Sequence, residues 1–261
     1  MYYYIVNPSS GDRSFESIQA KLQAKVRQLD IDGEFAKTLD ADDAARITQA
    51  ALRQGAQTIV VVGGDRTVNE VITAVNESSK SSISVGVIPI GHTNTLAQQI
   101  GIRDWNHAVE LLAARRLRSF RLIHINDHSF IHSCVLESTN DSTAEALIEV
   151  DGAYRIRGPI LQAQISNTRL HNPSLSNELF VQLATQNSET GRLQRWLKRE
   201  TPRPALLSQL HARVIVLEFP HPYRAVVDGR EIIDTQFRIR LSEKPIHIIT
   251  AKYDSNGSPQ N

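Results

Sequence analysis

The run Thr58-Ile59-Val60-Val61-Val62 stops abruptly at Gly63-Gly64-Asp65, and this junction limits the fold more than any other part of the chain. An apolar, β-branched run without polar alternation fits a central parallel strand covered on both faces, not a strand with one wet face. Its neighbours repeat the pattern. Tyr2 to Val6 reads as a short buried strand ending in the turn formers Asn7-Pro8-Ser9-Ser10-Gly11. Phe15, Ile18, Leu22, Val26 and Leu29 recur every three or four positions and predict an amphipathic helix from Ser14 to Leu29. A strand follows around Phe35 to Thr38, then a helix from Ala41 to Gln54 that Asp40 can cap. Past the glycine pair, Val68, Ile72 and Val75 mark another helix, and Val85 to Ile88 another apolar strand that stops at Pro89-Ile90-Gly91-His92-Thr93-Asn94. This order of strand, glycine-bearing turn and helix predicts an open, mostly parallel α/β domain over residues 1–118.

After Leu117 the pattern changes. Arg121 to Ile125, Phe130 to Leu136, Leu161 to Ser166, Leu179 to Ala184, Ala212 to Phe219, Tyr223 to Val227, Phe237 to Leu241 and Ile246 to Thr250 are short and strand-like, without regular helices between them. They predict an antiparallel, β-rich second domain over 119–253, followed by a frayed tail over 254–261. The exception is Gly191 to Glu200, where Leu193, Trp196 and Leu197 share a helical stripe among Arg192, Arg195, Lys198 and Arg199. A basic helix over Arg192 to Arg203 suits an anionic membrane surface, or it can pack Trp196 into a core.

Charge excludes one class of partner. With 29 basic and 28 acidic residues the formal net charge is +1, so no global field draws the chain to nucleic acid, and membrane contact must be local. No stretch approaches a membrane span, and Met1-Tyr2-Tyr3-Tyr4-Ile5-Val6 lacks the basic start and apolar length of a signal peptide. The lone Cys134 has no intramolecular disulfide partner and sits in a strand-like run, which reads as a buried thiol in a reducing compartment. The expected location is cytoplasmic. The histidines show no metal-ligand spacing, so His107, His124, His128 and His132 read as structural or surface groups. Neither a Gly-x-Ser-x-Gly elbow nor a Walker lysine motif is present.

The chemistry lies in the turns. In open α/β sheets, ligands sit beyond the carboxyl ends of the strands. Gly63-Gly64-Asp65-Arg66-Thr67 follows a buried strand and opens a helix, so its backbone N–H groups and the helix dipole can hold phosphate oxygens while Asp65 reaches Mg²⁺ or a hydroxyl. Asn7-Pro8-Ser9-Ser10-Gly11 and Gly91-His92-Thr93-Asn94 carry ordinary turn and cap residues when taken singly. Placed at the ends of successive strands, the turns are expected to converge.

These residues resemble a known family. The order Asn7-Pro8-x-Ser10-Gly11, Thr38, Gly63-Gly64-Asp65-x-Thr67-x-Asn69-Glu70-Val71 and Pro89-x-Gly91-x-x-Asn94-x-x-Ala97 is similar to the diacylglycerol kinase catalytic domain, shared by bacterial lipid kinases, ceramide kinases and sphingosine kinases. Asn69-Glu70-Val71 directly after the glycine motif fits that family better than the related NAD kinases. The resemblance implies an α/β nucleotide-binding domain followed by a β-sandwich, with Mg-ATP held between them and a lipid hydroxyl phosphorylated. It places Asn7, Thr38, Gly63, Gly64, Asp65, Arg66, Thr67, Val68, Asn69 and Asn94 at nucleotide-contacting positions, and Asp65 at the family's invariant acid. It returns at Asp228-Gly229, where the family's acids serve the proton-accepting end of the reaction, so Asp228 joins Asp65 as a catalytic candidate.

The departures fall in the same places. Arg66 replaces the family's fourth motif glycine, where an arginine can block the phosphates or lay its guanidinium against them. His92 and Thr95 replace a hydroxyl residue and an acid. Arg230 stands where the family carries a glutamate, and Glu231 points to the opposite face if both lie on one strand. Asp228-Gly229 also reads as a simple hairpin turn. Two functions therefore stand side by side: an ATP-dependent lipid kinase using Asp65 and Asp228, and a non-catalytic relative that binds a nucleotide, a lipid or a protein partner. A homodimer and a structural metal in the second domain are both compatible with the sequence.

Overall fold

The structure is a computed structural model and describes residues 1–10, 15–40, 43–80, 82–92, 94–139, 143–167, 178–186, 204–227 and 230–253. The chain divides into two compact units: one takes in the chain up to Leu122 and again from Glu243, and the other takes in the described residues from Ile123 to Ser242.

In the first unit, β1 (Tyr2–Val6), β2 (Gly33–Lys37), β3 (Thr58–Gly63) and β4 (Ser84–Pro89) pair in parallel in the order β4-β3-β1-β2. Every residue of β3 is buried, as its unbroken apolar run requires. Helices α1 (Glu16–Gln28), α2 (Asp43–Arg53), α3 (Asp65–Glu77), α4 (Thr95–Gln99) and α5 (Trp105–Ala114) connect and cover the strands. α2 packs on α3 and α1 on α5. Thr48, Ala51 and Leu52 on α2 and Val68, Ile72 and Val75 on α3 are buried, the inward stripes that their spacing predicts. The expected helix over Ser14 to Leu29 is α1, with Leu29 as its C-cap. At α2 the backbone carbonyl of Asp40 accepts from Asp43 N (3.4 Å), while the Asp43 carboxylate accepts from Leu39 N (3.0 Å).

The end of β14 (Arg230–Ile249) also belongs to this unit: His247 pairs with Ser84 and Ile248 with Val85, parallel to β4. Thr250 N donates to Arg116 O (2.9 Å) and Ala251 N to Ile100 O (3.1 Å). Residues 119–122 and 243–253, assigned by the sequence reading to the second domain, thus fall in the first unit. Burial of Ile246, Ile248, Ile249 and Ala251 gives the reason.

The second unit is β-rich. Its antiparallel ladder runs β12 (Pro204–Ala212), β11 (Leu179–Gln186), β10 (Gln162–Asn167), β7 (Ser133–Ser138), β13 (Val214–Val227), β14. β13 serves two ladders: Ile215 to Glu218 pair with β8 (Ala144–Val150), and Tyr223 to Val227 pair with β7. Its register against β14 shifts between Glu218 and Tyr223, across Pro220 and Pro222, where proline's missing donor is tolerated. β9 (Tyr154–Ile160) pairs with β8, and β6 (His128–Phe130) with β5 (Leu117–Ile125). One core holds the unit, with Phe130, Leu136, Ile165, Val181, Leu217, Tyr223 and Phe237 inside it. Cys134 is buried there and in no disulfide among the described residues.

Candidate nucleotide site

The carboxyl ends of four strands stop in register. Val6 pairs with both Lys37 and Val62, and Gly63 with Pro89. The next residue of each strand continues the ladder by one bond: Thr38 N donates to Val6 O (2.8 Å), Asn7 N to Val62 O (2.9 Å) and Ile90 N to Gly63 O (3.2 Å). Thr38, Asn7, Gly63 and Pro89 therefore stand side by side, and three strand spacings give a row of about 14 Å. An extended ligand can lie across it.

Two turns touch at the β3–β4 end of this row. A Cβ on Gly91 would lie 2.5 Å from Gly64 Cα, and one on Gly64 would lie 3.3 Å from Gly91 Cα. Gly91 requires glycine because backbone meets backbone, and Gly64 is tight against the same contact. Asp65 fastens the turns together: Oδ2 accepts from Thr95 N (2.8 Å) and Oδ1 from Leu96 N (3.2 Å), so one carboxylate meets the first two amides of α4. Negative charge at a helix start is favourable. Asn94 holds the turn between them with a left-handed backbone (φ 47°, ψ 43°), accepting from Gly91 N at Oδ1 (3.0 Å) and donating to Gly91 O from Nδ2 (2.5 Å). Asn7 Nδ2 donates to Thr67 Oγ1 (2.9 Å), while its Oδ1 accepts from Ser9 N (3.0 Å).

The first turn of α3 faces this arrangement. Its N-cap is Gly64, which has no side chain with which to cap the amides that follow. Thr67 and Val68 are buried and Asn69 is half-buried, so Val68 contributes backbone rather than side chain. Arg66 Nε donates to Glu70 Oε1 (3.0 Å) one turn further on. That pair lies along α3, at the i,i+4 spacing.

Beside the Gly91 turn opens a cavity of about 350 Å³, with Ile18, Ile90, Ile102 and Trp105 on its apolar side and His92, Asn94, Gln98 and Arg103 among its polar groups. The sequence reading missed Arg103 and Trp105. The available signal was Asp104, an N-cap placed before the apolar spacing of α5. In the structure Asp104 Oδ1 accepts from His107 N (2.8 Å). His107 itself is buried, and burial, then the charge of Arg103, lowers its pKa. It accepts from Arg103 N at Nδ1 (3.3 Å), a structural use in line with the sequence reading. His124 Nδ1 meets Ser129 Oγ (2.8 Å).

Several expected features lie outside the described residues: Gly11, Thr93, Asp228-Gly229, the basic segment Arg192 to Arg203 and the tail. Near Asp228, Val227 pairs with Arg230 across β13 and β14. Glu231 is held by Arg224 (Nη1 to Oε1, 3.1 Å), and Arg224 also pairs with Glu137. Among the described residues no group of three His, Cys, Asp or Glu side chains could hold a metal ion, and no helix is long and apolar enough to cross a membrane.

Residues 1–125 match the family model of the diacylglycerol kinase catalytic domain. Over these residues the chain is similar to the diacylglycerol kinase catalytic domain. Similar proteins include a diacylglycerol kinase of Staphylococcus carnosus, 26% identical over 169 residues, covering 62% of this chain and 55% of that one. A diacylglycerol kinase of Bacillus subtilis is 33% identical over 130 residues, covering 49% and 43%, and a Klebsiella pneumoniae protein named "Probable lipid kinase YegS-like" is 33% identical over 103 residues, covering 39% and 34%. The chain thus spans roughly a third to just over half of these relatives. In fold the likeness is wider. A diacylglycerol kinase structure from Bacillus anthracis superposes with a TM-score of 0.77 at 15% identity, over 95% of this chain and 96% of that one. An NAD kinase from Archaeoglobus fulgidus, solved with ATP, gives 0.58 at 13% identity, over 96% and 94%. The diacylglycerol kinase and NAD kinase folds are therefore shared, and the diacylglycerol kinase motifs sit in the turns described above.

Proposed function

We propose that the chain binds ATP along the carboxyl ends of β2, β1, β3 and β4 and transfers its γ-phosphate to the hydroxyl of a lipid. The observation that carries this reading is the approach of Gly64 to Gly91 clamped by Asp65. It makes a fixed, side-chain-free backbone surface at the start of α3, where N–H groups and the helix dipole favour phosphate oxygens. Phosphoryl transfer depends mainly on positioning and charge stabilisation, and a rigid cradle of this kind supplies the first. Asn7 and Thr67 brace its β1 side. Arg66 pairs with Glu70 one turn along α3.

Mg²⁺ would neutralise charge on the phosphates when bound. Asp65 is the acid at the turn, and its oxygens already serve Thr95 and Leu96. A single carboxylate fits a magnesium ion that takes its other ligands from phosphates and water, as is usual for that ion. Asp228 takes the acceptor's proton in this reading, the role that the family resemblance assigns to its position. The protein would work in the cytoplasm and meet its lipid at the membrane, with Arg192 to Arg203 as the contact; a homodimer is compatible with this arrangement.

One observation favours nucleotide binding without transfer. Arg230 occupies the family's glutamate position, and Glu231 is engaged by Arg224. Two measurements separate the readings. Mg-ATP at 100 times its Kd is expected to stabilise the protein by about 2.7 kcal/mol, read as an upward shift in Tm. No shift at millimolar nucleotide removes both. Radiolabelled ATP with a lipid extract is then expected to label a lipid. If wild type labels none and the double variant Arg66→Gly, Arg230→Glu gains transfer, the non-catalytic reading stands.

A further inference from the structure

We propose that the first unit carries a second ligand site, at the opposite ends of the strands from the nucleotide turns, for a phosphomonoester that bears a free hydroxyl. A cavity of about 370 Å³ lies between the end of α3 and the beginning of β4, lined in part by Asn76, Lys80, Lys244 and His247. Ser84 opens β4 and pairs with His247, whereas the nucleotide turn follows Pro89 at the other end of that strand. α3 runs from Asp65 to Glu77, so at 1.5 Å per residue its two ends lie about 18 Å apart. The two sites share a helix and no residue.

The lining specifies the ligand's chemistry. Asn76 Oδ1 is buried and accepts no hydrogen bond; a buried acceptor without a donor is costly, and a ligand hydroxyl is the donor that would satisfy it. Two lysines and a histidine stand around the same space, and none of the described lining residues is acidic. Lys80 Nζ donates to the Leu52 carbonyl at the end of α2, which anchors the ammonium at the rim, and an ammonium has three donors to share. Ser119 Oγ meets His247 Nδ1 (3.0 Å) and orients the ring. Ile83 and Ile246 are buried beneath these groups, and apolar walls strengthen charge attraction by excluding water. The volume is at the small end for ligand pockets. It suits a glycerol phosphate better than a whole lipid, although a phosphatidate headgroup presents the same phosphomonoester.

The test uses the full chain with glycerol 3-phosphate, followed by isothermal calorimetry, on wild type, Lys244→Gln and Asn76→Asp. Wild type is expected to bind glycerol 3-phosphate more tightly than inorganic phosphate, which lacks the carbon-borne hydroxyl. Asn76→Asp, which adds a negative charge to the cavity that takes the phosphate, is expected to weaken binding at least tenfold, and Lys244→Gln several-fold. Both variants should keep the melting temperature shift with Mg-ATP, since neither touches the turns. Co-sedimentation with vesicles of phosphatidylcholine, with and without phosphatidate, identifies the source. A phosphatidate-dependent gain that Lys244→Gln lowers assigns the site to a lipid headgroup; binding of free glycerol 3-phosphate alone assigns it to a soluble phosphomonoester. The proposal is overturned if neither probe binds, if the variants bind as wild type does, or if ATP displaces glycerol 3-phosphate from wild type.

Discussion

Asp65→Ala is expected to abolish phosphoryl transfer and to lower stability together, because one carboxylate serves both. Its two oxygens accept from the first two amides of α4, and so tie the Gly91 turn to the Gly64 turn. Alanine leaves both amides without that acceptor. Hydrogen bonds to a charged group contribute about 1.5–3 kcal/mol each, and their loss at a half-buried position should cost about 2–4 kcal/mol once water replaces part of it. Asp65→Asn separates the effects. Its amide keeps one acceptor but turns an N–H₂ toward the second helix amide, so it should recover part of the stability. It should not recover transfer, since the charge beside the phosphates is gone, and rates should stay more than about 10²-fold down. Melting temperature and lipid labelling measure the two quantities. If Asp65→Ala melts lower yet labels lipid at the wild-type rate, the carboxylate is a structural cap only and the kinase mechanism built on it fails.

That dual use could not be read from the sequence, although the turns could. The glycine pair after an apolar run locates the end of β3 because burial on both faces leaves one interpretation. The reach of Asp65 to Thr95 spans thirty positions of chain and ends on a five-residue helix, too short to show periodicity. Arg66 is a different case. The sequence left its side chain two directions, yet Glu70 lies four residues on, the spacing at which opposite charges pair along a helix, and the structure makes that pair. In the second unit β8 was missed because its sequence, Ala144-Glu145-Ala146-Leu147-Ile148-Glu149-Val150, is rich in residues that strands disfavour. Its burial nonetheless alternates, with Ala144, Ala146 and Ile148 inward. The segments Ala212 to Phe219 and Tyr223 to Val227 read as separate strands because Pro220 and Pro222 lie between them. The structure carries one strand through both, with the register shift placed at the prolines.

Gly91→Ala is expected to remove the response to Mg-ATP. The added Cβ would lie 2.5 Å from Gly64 Cα, 3.2 Å from Gly64 N and 3.0 Å from Asn94 Oδ1. Two of those atoms are backbone and cannot rotate away, so the Gly64 and Gly91 turns must separate. Overpacking of this kind costs about 1–3 kcal/mol. The separation also pulls on the bonds from Asp65 to α4, and it moves the amides that the proposed nucleotide needs. Gly55→Ala is the matched control. Gly55 follows α2 at the opposite ends of the strands with φ of +89° and nothing within 4 Å of its would-be Cβ, so alanine there is strained in its backbone by about 1 kcal/mol but displaces no neighbour. Both variants should melt below wild type in the absence of ligand. With Mg-ATP, Gly55→Ala should regain the full wild-type shift and Gly91→Ala little or none. Equal shifts in the two would place the nucleotide away from the Gly64–Gly91 contact, since the cradle cannot both open and keep its ligand.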